Sequence, residues 1–167
     1  GADKIGFSAP GVHGQESVLR EALEISGVEA GSITFIETHG TGTPMGDPME
    51  VRALETVYGH SSVPCALGSV KTNVGHLNSA AGIAGFMLSL DKKMLTPALH
   101  YEKANPEIDF EHSRFHVQVE ACPWTSEGPL RAAVSSFGLG GTNCHMVLEE
   151  APRGNVSFSE KKWSVIP

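Results

Sequence analysis

Ile33-Thr34-Phe35-Ile36-Glu37-Thr38-His39-Gly40-Thr41-Gly42-Thr43 is the stretch on which the fold turns. Its first half, Ile33 to Thr38, is rich in β-branched and aromatic residues and reads as a buried strand. The second half sets one histidine among glycines and threonines, and Gly40 and Gly42 let the backbone turn tightly there. Asp47-Pro48-Met49-Glu50 then reads as a helix start. Asp47 is placed to cap, Pro48 suits the first helical position, and Glu50 is spaced to close a capping box. Val51, Leu54 and Val57 give that helix an inner face. Strand, glycine loop and helix in succession are the unit of an α/β fold.

Working outward, Gly6 to Gly14 is rich in Gly, Pro and Ser and reads as a loop. Gln15 to Ser26 carries Val18, Leu19, Ala22 and Leu23 at helical spacing. Gly27 to Ser32 connects it to the strand. Downstream, Val63 to Val70 is a second strand that runs into Lys71-Thr72-Asn73-Val74-Gly75-His76. Asn78 to Met94 is small and apolar on most sides, as a buried helix is. Thr96 to Asp109 is irregular. Phe115 to Val119 alternates like a half-buried strand, and Ala132 to Ser136 and Cys144 to Glu149 are strands joined across a glycine-rich turn. After Ala151-Pro152 the chain turns polar, so 153–167 reads as the start of a linker and 1–152 as the folded unit.

A chain of 167 residues can bury one compact core. The net charge of −7 argues against a nucleic-acid partner, whose phosphates need clustered Lys and Arg. No apolar run reaches the length of a membrane span, and Gly1-Ala2-Asp3-Lys4 is no signal peptide, so a cytoplasmic setting without membrane contact is expected. Three cysteines do not make a disulfide framework. Cys65 reads as inert core, Cys144 as a packing residue, and Cys122 as a loop residue with no helix N-terminus to activate it. Metal-site spacing is not read among the eight histidines and three cysteines, so no metal is expected. Gly40-Thr41-Gly42-Thr43 lacks the Gly-Lys-Ser/Thr ending of a phosphate loop. Asn155-Val156-Ser157 matches a glycosylation acceptor and is read as chance.

The chemistry-bearing residues are His39 and His76, each in a glycine-rich segment after a strand, where open α/β sheets gather ligands. From spacing alone, hydrogen-bonded turn histidines fit equally well, and Lys71 reads as a solvated or ion-paired lysine. The turn Phe137-Gly138-Leu139-Gly140-Gly141-Thr142-Asn143 fits a hairpin.

Together, Glu37-Thr38-His39-Gly40-Thr41-Gly42-Thr43, Lys71-Thr72-Asn73-Val74-Gly75-His76 and Ser136-Phe137-Gly138-Leu139-Gly140-Gly141-Thr142-Asn143 resemble the signature blocks of the β-ketoacyl synthase family. Thr72 and Val74 are mild departures, and Leu139 departs from the phenylalanine of some fatty-acid members. The resemblance implies the C-terminal half of a thiolase-like α/β fold, with a mixed sheet covered by helices. It implies a decarboxylative Claisen condensation in polyketide or fatty-acid synthesis. His39 and His76 would hold the extender's carbonyl oxygen, and Lys71 would be a buried supporting charge with its carboxylate partner in the missing half. Leu139 would complete an oxyanion hole, with Phe137 and Gly138 gating the pocket. Thr41, Thr43, Asn73, Gly140, Gly141, Thr142 and Asn143 would support the loops. The nucleophilic cysteine would lie in an N-terminal half absent from this chain, which alone would be inactive. No cofactor is implied beyond phosphopantetheine, which carries substrates on acyl carrier protein. The implied partners are that missing half, the carrier protein, adjacent synthase domains and a second copy in a homodimer. A non-catalytic docking module is the competing reading.

Overall fold

A computed structural model describes residues 11–76, 89–138 and 141–152. Helix α1 (Val12–Ser26) leads through a short 3-10 turn (Ala30–Ser32) into strand β1 (Phe35–Glu37). Helix α2 (Gly46–Tyr58), strand β2 (Cys65–Gly68) and the short helix α3 (Lys71–Val74) follow. Then come β3 (Met94–Leu95), β4 (Phe115–Val117), β5 (Cys122–Pro123), β6 (Arg131–Phe137) and β7 (Asn143–Glu149). The main sheet runs β4-β2-β1-β6-β7, and β3 pairs with β5 apart from it. β4, β2, β1 and β6 are parallel, whereas β7 returns antiparallel to β6. The sheet is therefore mixed, as the family resemblance implies.

β1 occupies the centre because its side chains can be buried on both faces. Ile36 points to the face covered by α1 and α2, where it joins Leu19, Leu54, Val57 and Tyr58 in one core. Phe35 points to the opposite face and meets Trp124 edge-on, with ring centroids 5.6 Å apart. The indole N–H of Trp124 donates to Thr34 Oγ1 at 2.9 Å, so its one polar atom is satisfied. Val51, Leu54 and Val57 of α2 are buried as the spacing predicts.

Several expectations need correction. α1 begins at Val12, inside the segment read as a loop. Gly14 stands against β7: a Cβ there would meet Asn143 Nδ2 at 3.4 Å. β1 and β2 are shorter than the apolar runs that announce them, and Val63 is 44% exposed. β4 ends at Val117 and leaves Val119 outside it. The helix read over Asn78 to Met94 lies mostly outside the described residues; its end, 89–92, is helical. Lys93 takes a left-handed φ of 51°, which stops the helix, and Met94 pairs with Pro123 in β3. Cys122 accordingly sits in a strand rather than a loop, and Cys144 is exposed rather than packed. Residues 153–167, with Asn155, lie outside the described residues.

Two polar arrangements, one half-buried and one buried, hold the layers together. The Arg114 guanidinium donates to the backbone carbonyls of Val63 (2.7 Å), Ala30 (3.1 Å), Tyr58 (2.9 Å) and Ile33 (2.9 Å). Those carbonyls gather at the N-terminal ends of β1 and β2. Between α2 and the β6–β7 hairpin, the His145 ring bridges Tyr58 OH at Nε2 (2.8 Å) and Ser135 Oγ at Nδ1 (3.0 Å). Nothing in their sequence surroundings announced either arrangement.

Candidate functional site

The opposite, C-terminal ends of β1 and β2 carry the two histidine loops. As β1 ends, the amide and the hydroxyl of Thr38 both donate to the Gly68 carbonyl at 2.8 Å, which holds the first loop to β2. The loop then curls, with φ of 43° at Gly40 and 71° at Gly42. Gly40 also passes very near its neighbours: a Cβ there would lie 2.7 Å from Thr38 Oγ1 and 2.9 Å from Ser69 Cβ. Both requirements exclude a side chain.

Glu50 fixes this curl. Its Oε1 accepts from the His39 amide at 2.7 Å and its Oε2 from the Gly40 amide at 3.0 Å. It does not close a capping box. Asp47 likewise does not cap α2, since its Oδ1 accepts from the Gly42 amide at 3.1 Å. The first turn of α2 is instead held by Thr43, whose Oγ1 accepts from Gly46 N at 3.0 Å. All three side chains serve the histidine loop or its junction with the helix.

The second loop is anchored on the irregular segment that follows it in sequence. Asn73 Nδ2 donates to Pro97 O at 3.2 Å, and Thr72 Oγ1 accepts from Leu99 N at 3.0 Å. α3 ends at Gly75, whose φ of 79° redirects the chain into His76. Lys71 bridges the two loops: its Nζ donates to the His39 carbonyl at 2.5 Å.

This scaffold brings His39 and His76 together. Their ring centroids are 6.1 Å apart with planes at 83°, and Phe137 meets the His39 ring at 5.7 Å. The end of β6 thus completes a cluster with the ends of the two histidine loops. Thr41 and Thr43 lie on the exposed rim, their hydroxyls 3.3 Å apart. Gly138 and Gly141 close the hairpin turn: Gly138 N donates to Thr142 O at 2.8 Å and Gly141 N to Gly138 O at 3.0 Å. Asn143 opens β7 opposite Phe137. Leu139 and Gly140 lie outside the described residues.

The electrostatics favour a neutral His39. Burial pushes its pKa down to about 4, and the nearby Lys71 and His76 push the same way. Burial pushes both Glu37 and Glu50 up to about 7, against the amide hydrogen bonds each accepts. Lys71 is lowered by burial, while Glu37 and Glu50 pull it back up. Two carboxyls that act on Lys71, those of Glu37 and Glu50, thus lie in this chain. Sequence reading missed Glu37 and Glu50 as parts of the site. The signal for Glu37 was available, since an acid stood inside an otherwise apolar strand.

A cavity of about 680 Å³ adjoins the same loops, lined among others by Thr38, Thr43, Asp47, Ser69, Leu99 and Phe110. His39, His76 and Phe137 do not line it. His112 and His116 do stand at the His-x-x-x-His spacing that the sequence reading did not register. His112 Nδ1 is 2.8 Å from Asp109 Oδ2, and no group of three or more metal-ligating side chains forms among the described residues. Among those residues no helix is long and apolar enough to cross a membrane.

Residues 1–102 match the family model described as β-ketoacyl synthase, C-terminal domain, and residues 104–166 match one described as ketoacyl-synthetase C-terminal extension. The chain is 48% identical over 159 residues to one polypeptide of the phenolphthiocerol/phthiocerol polyketide synthase of Mycobacterium tuberculosis, covering 91% of this chain and 11% of the relative. It is 50% identical over 149 residues to another polypeptide of the same synthase, covering 87% and 10%. Among solved structures, ketosynthase twelve of the bacillaene polyketide synthase from Bacillus amyloliquefaciens superimposes with a TM-score of 0.84 at 45% identity, over 90% of this chain and 28% of that one. An oxazolomycin ketosynthase domain from Streptomyces albus gives 0.85 at 38%, over 90% and 29%. The chain spans about a tenth of those curated relatives and under a third of those solved ones. The α/β architecture is thiolase-like, as expected.

Proposed function

The chain belongs to the β-ketoacyl synthase family, as its C-terminal domain, and from that premise we propose that it supplies the paired imidazoles of a polyketide-assembling ketosynthase. The observation that carries this reading is the approach of His39 to His76 at 6.1 Å, beside Phe137. The reaction is a decarboxylative condensation. A cysteine thiolate first attacks the acyl carbonyl of a carrier thioester, takes the acyl group and expels the carrier's thiolate. A malonyl-type thioester then loses carbon dioxide, and the electrons of the broken C–C bond become an enolate. The enolate carbon attacks the acyl carbonyl, the thiolate leaves, and a β-ketoacyl thioester remains on the carrier.

Negative charge gathers on the extender's thioester oxygen as carbon dioxide departs. Two ring N–H groups fixed around that oxygen lower the barrier, because they are already oriented when the charge appears. His39, held neutral by burial, keeps one nitrogen protonated and one free. Glu50 fixes the His39 backbone, and Lys71 ties that backbone to the loop of His76.

No described cysteine suits the nucleophile's part. Cys65 is sealed in the core with its thiol pushed up to about 12 by burial. Cys122 lies in the two-stranded β3–β5 pair, and Cys144 lies on β7 opposite Ser136. We assign the nucleophile to the remaining part of the ketosynthase. On this reading the substrates ride on acyl carrier protein, the parent domain pairs as a homodimer beside other synthase domains, and the setting is cytoplasmic.

Mass spectrometry after incubation with an acyl thioester tests the assignment. The chain alone is expected to gain no stoichiometric acyl group, and joining it to the rest of its domain to restore condensation with a malonyl-carrier. Specific acylation of Cys65, Cys122 or Cys144 would overturn the first part. A joined domain that binds carrier without condensing would favour a docking module instead.

A further inference from the structure

Glu37 is out of place by every rule that shapes β1. Phe35 and Ile36 before it are apolar and buried, and Glu37 is buried as completely, at 0% exposure. Its neighbours across the sheet are Gly68 on β2 and Val134 on β6, neither of which has a polar side chain. Oε1 accepts from the Val70 amide at 2.7 Å. Oε2 has no hydrogen-bond partner among the described residues. Sinking a carboxyl into a sheet for one backbone amide is unfavourable for the fold alone, because an apolar side chain would spare the desolvation.

The position of that amide supplies the reason. Val70 immediately precedes α3, and its carbonyl accepts from Asn73 N at 2.9 Å and Val74 N at 3.0 Å. The next residue is Lys71, whose ammonium reaches the His39 carbonyl, and the turn ends at His76. Glu37 therefore grips the second histidine loop much as Glu50 grips the first. Gly68, opposite Glu37 on β2, makes room for the Phe35 ring: a Cβ there would lie 2.8 Å from Phe35 Cε2.

We propose, on the ketosynthase reading above, that Glu37 is a positioning residue of the condensing site: its carboxyl holds the Val70–Lys71 turn so that Lys71 reaches the His39 carbonyl and His76 faces the His39 ring. The requirement is for an acceptor at that reach. Lys71 and Glu50 are the charged groups that act on Glu37, and burial pushes its carboxyl up to about 7, so both its forms are populated near neutrality. Either form can accept from Val70 N.

Two variants in the complete ketosynthase separate acceptor from charge. Glu37→Gln keeps an acceptor at the same reach, and Glu37→Met removes it at similar length. Misplacing a catalytic group by about 1 Å costs about a hundredfold. On that scale Glu37→Met is expected to lower kcat by about thirtyfold or more with KM for the extender unchanged, and Glu37→Gln to stay within about threefold of wild type. Amide exchange over residues 70–76 should quicken in Glu37→Met and not in Glu37→Gln. A wild-type kcat in Glu37→Met, or equal losses in both variants, overturns the proposal. Should Glu37→Met not fold, Glu37→Asp carries the test: one methylene shorter, it must lose kcat and protection at Val70, and wild-type behaviour overturns the proposal. The exchange measurement needs no turnover. A wild-type domain that fails to condense but shows the expected exchange pattern sinks the ketosynthase reading alone; one that condenses while Val70 exchanges alike in every variant sinks this proposal alone.

Discussion

Two histidines in this molecule are pushed to the same pKa of about 4, and they do different work. His145 lies between α2 and the β6–β7 hairpin with both ring nitrogens engaged, one by Tyr58 and one by Ser135. His39 stands where β1 gives way to its loop, and among the described residues its ring meets other rings, His76 and Phe137, rather than hydrogen-bond partners. Burial is the chief cause in both. A depressed pKa therefore does not mark a site by itself. What distinguishes His39 is a backbone tied down at both ends, its amide by Glu50 and its carbonyl by Lys71, while its ring is left available.

The contrast breaks most visibly at His39. In the complete ketosynthase, His39→Ala is expected to lower extender decarboxylation by about a hundred- to a thousandfold, the usual effect of removing one oxyanion donor. Its thermal midpoint should hardly move. Unchanged decarboxylation, followed as released carbon dioxide, would make His39 a turn residue like any other.

His145→Leu should do the reverse. It strands the hydroxyls of Tyr58 and Ser135, and each buried unpaired polar group costs about 1–3 kcal/mol. Denaturant unfolding should register that loss while turnover per folded molecule stays near wild type. If turnover fell and stability did not, His145 would belong to the site.

The smallest expected effect sharpens the comparison through pH. The folded His145 refuses a proton that the unfolded chain accepts between about pH 4 and 6.5. Its contribution to stability is full above 6.5 and fades as pH falls toward 4. The stability gap between wild type and His145→Leu should therefore narrow across that window. A gap constant in pH would mean that His145 titrates alike in both states. The buried carboxyls tilt the other way: Glu37 and Glu50, raised from 4.5 to about 7, contribute most below pH 4.5 and lose that contribution as pH rises through 7.

Where a signal was local and periodic, the sequence was readable. The inner face of α2, the β6–β7 hairpin and the placing of His39 after β1 all followed from spacing, whereas His76 follows β2 only by way of α3, which no spacing announced. Glu50 shows where such reading stops. Three residues after Asp47, it had the local geometry of a capping box, yet its carboxylate reaches back across 11 and 10 positions to His39 and Gly40. A loop that folds back on its own helix changes which partners are near, and spacing rules carry no information on that. Cys144 was misread for a related reason, since the exposure of a β7 residue depends on which layer lies over that face. Met94 fell in a two-residue strand too short to leave a pattern.

Arg114 carries a consequence for how the chain assembles. Its carbonyl partners at Ala30, Ile33, Tyr58 and Val63 precede it by 84, 81, 56 and 51 positions. During synthesis those carbonyls emerge long before the guanidinium that will join them, and they must rely on water meanwhile. A parallel sheet already closes its longest loops before contact repays the entropy. Arg114 adds a latch that shuts only once β4 has settled beside β2, so three distant stretches of chain are locked in one late step.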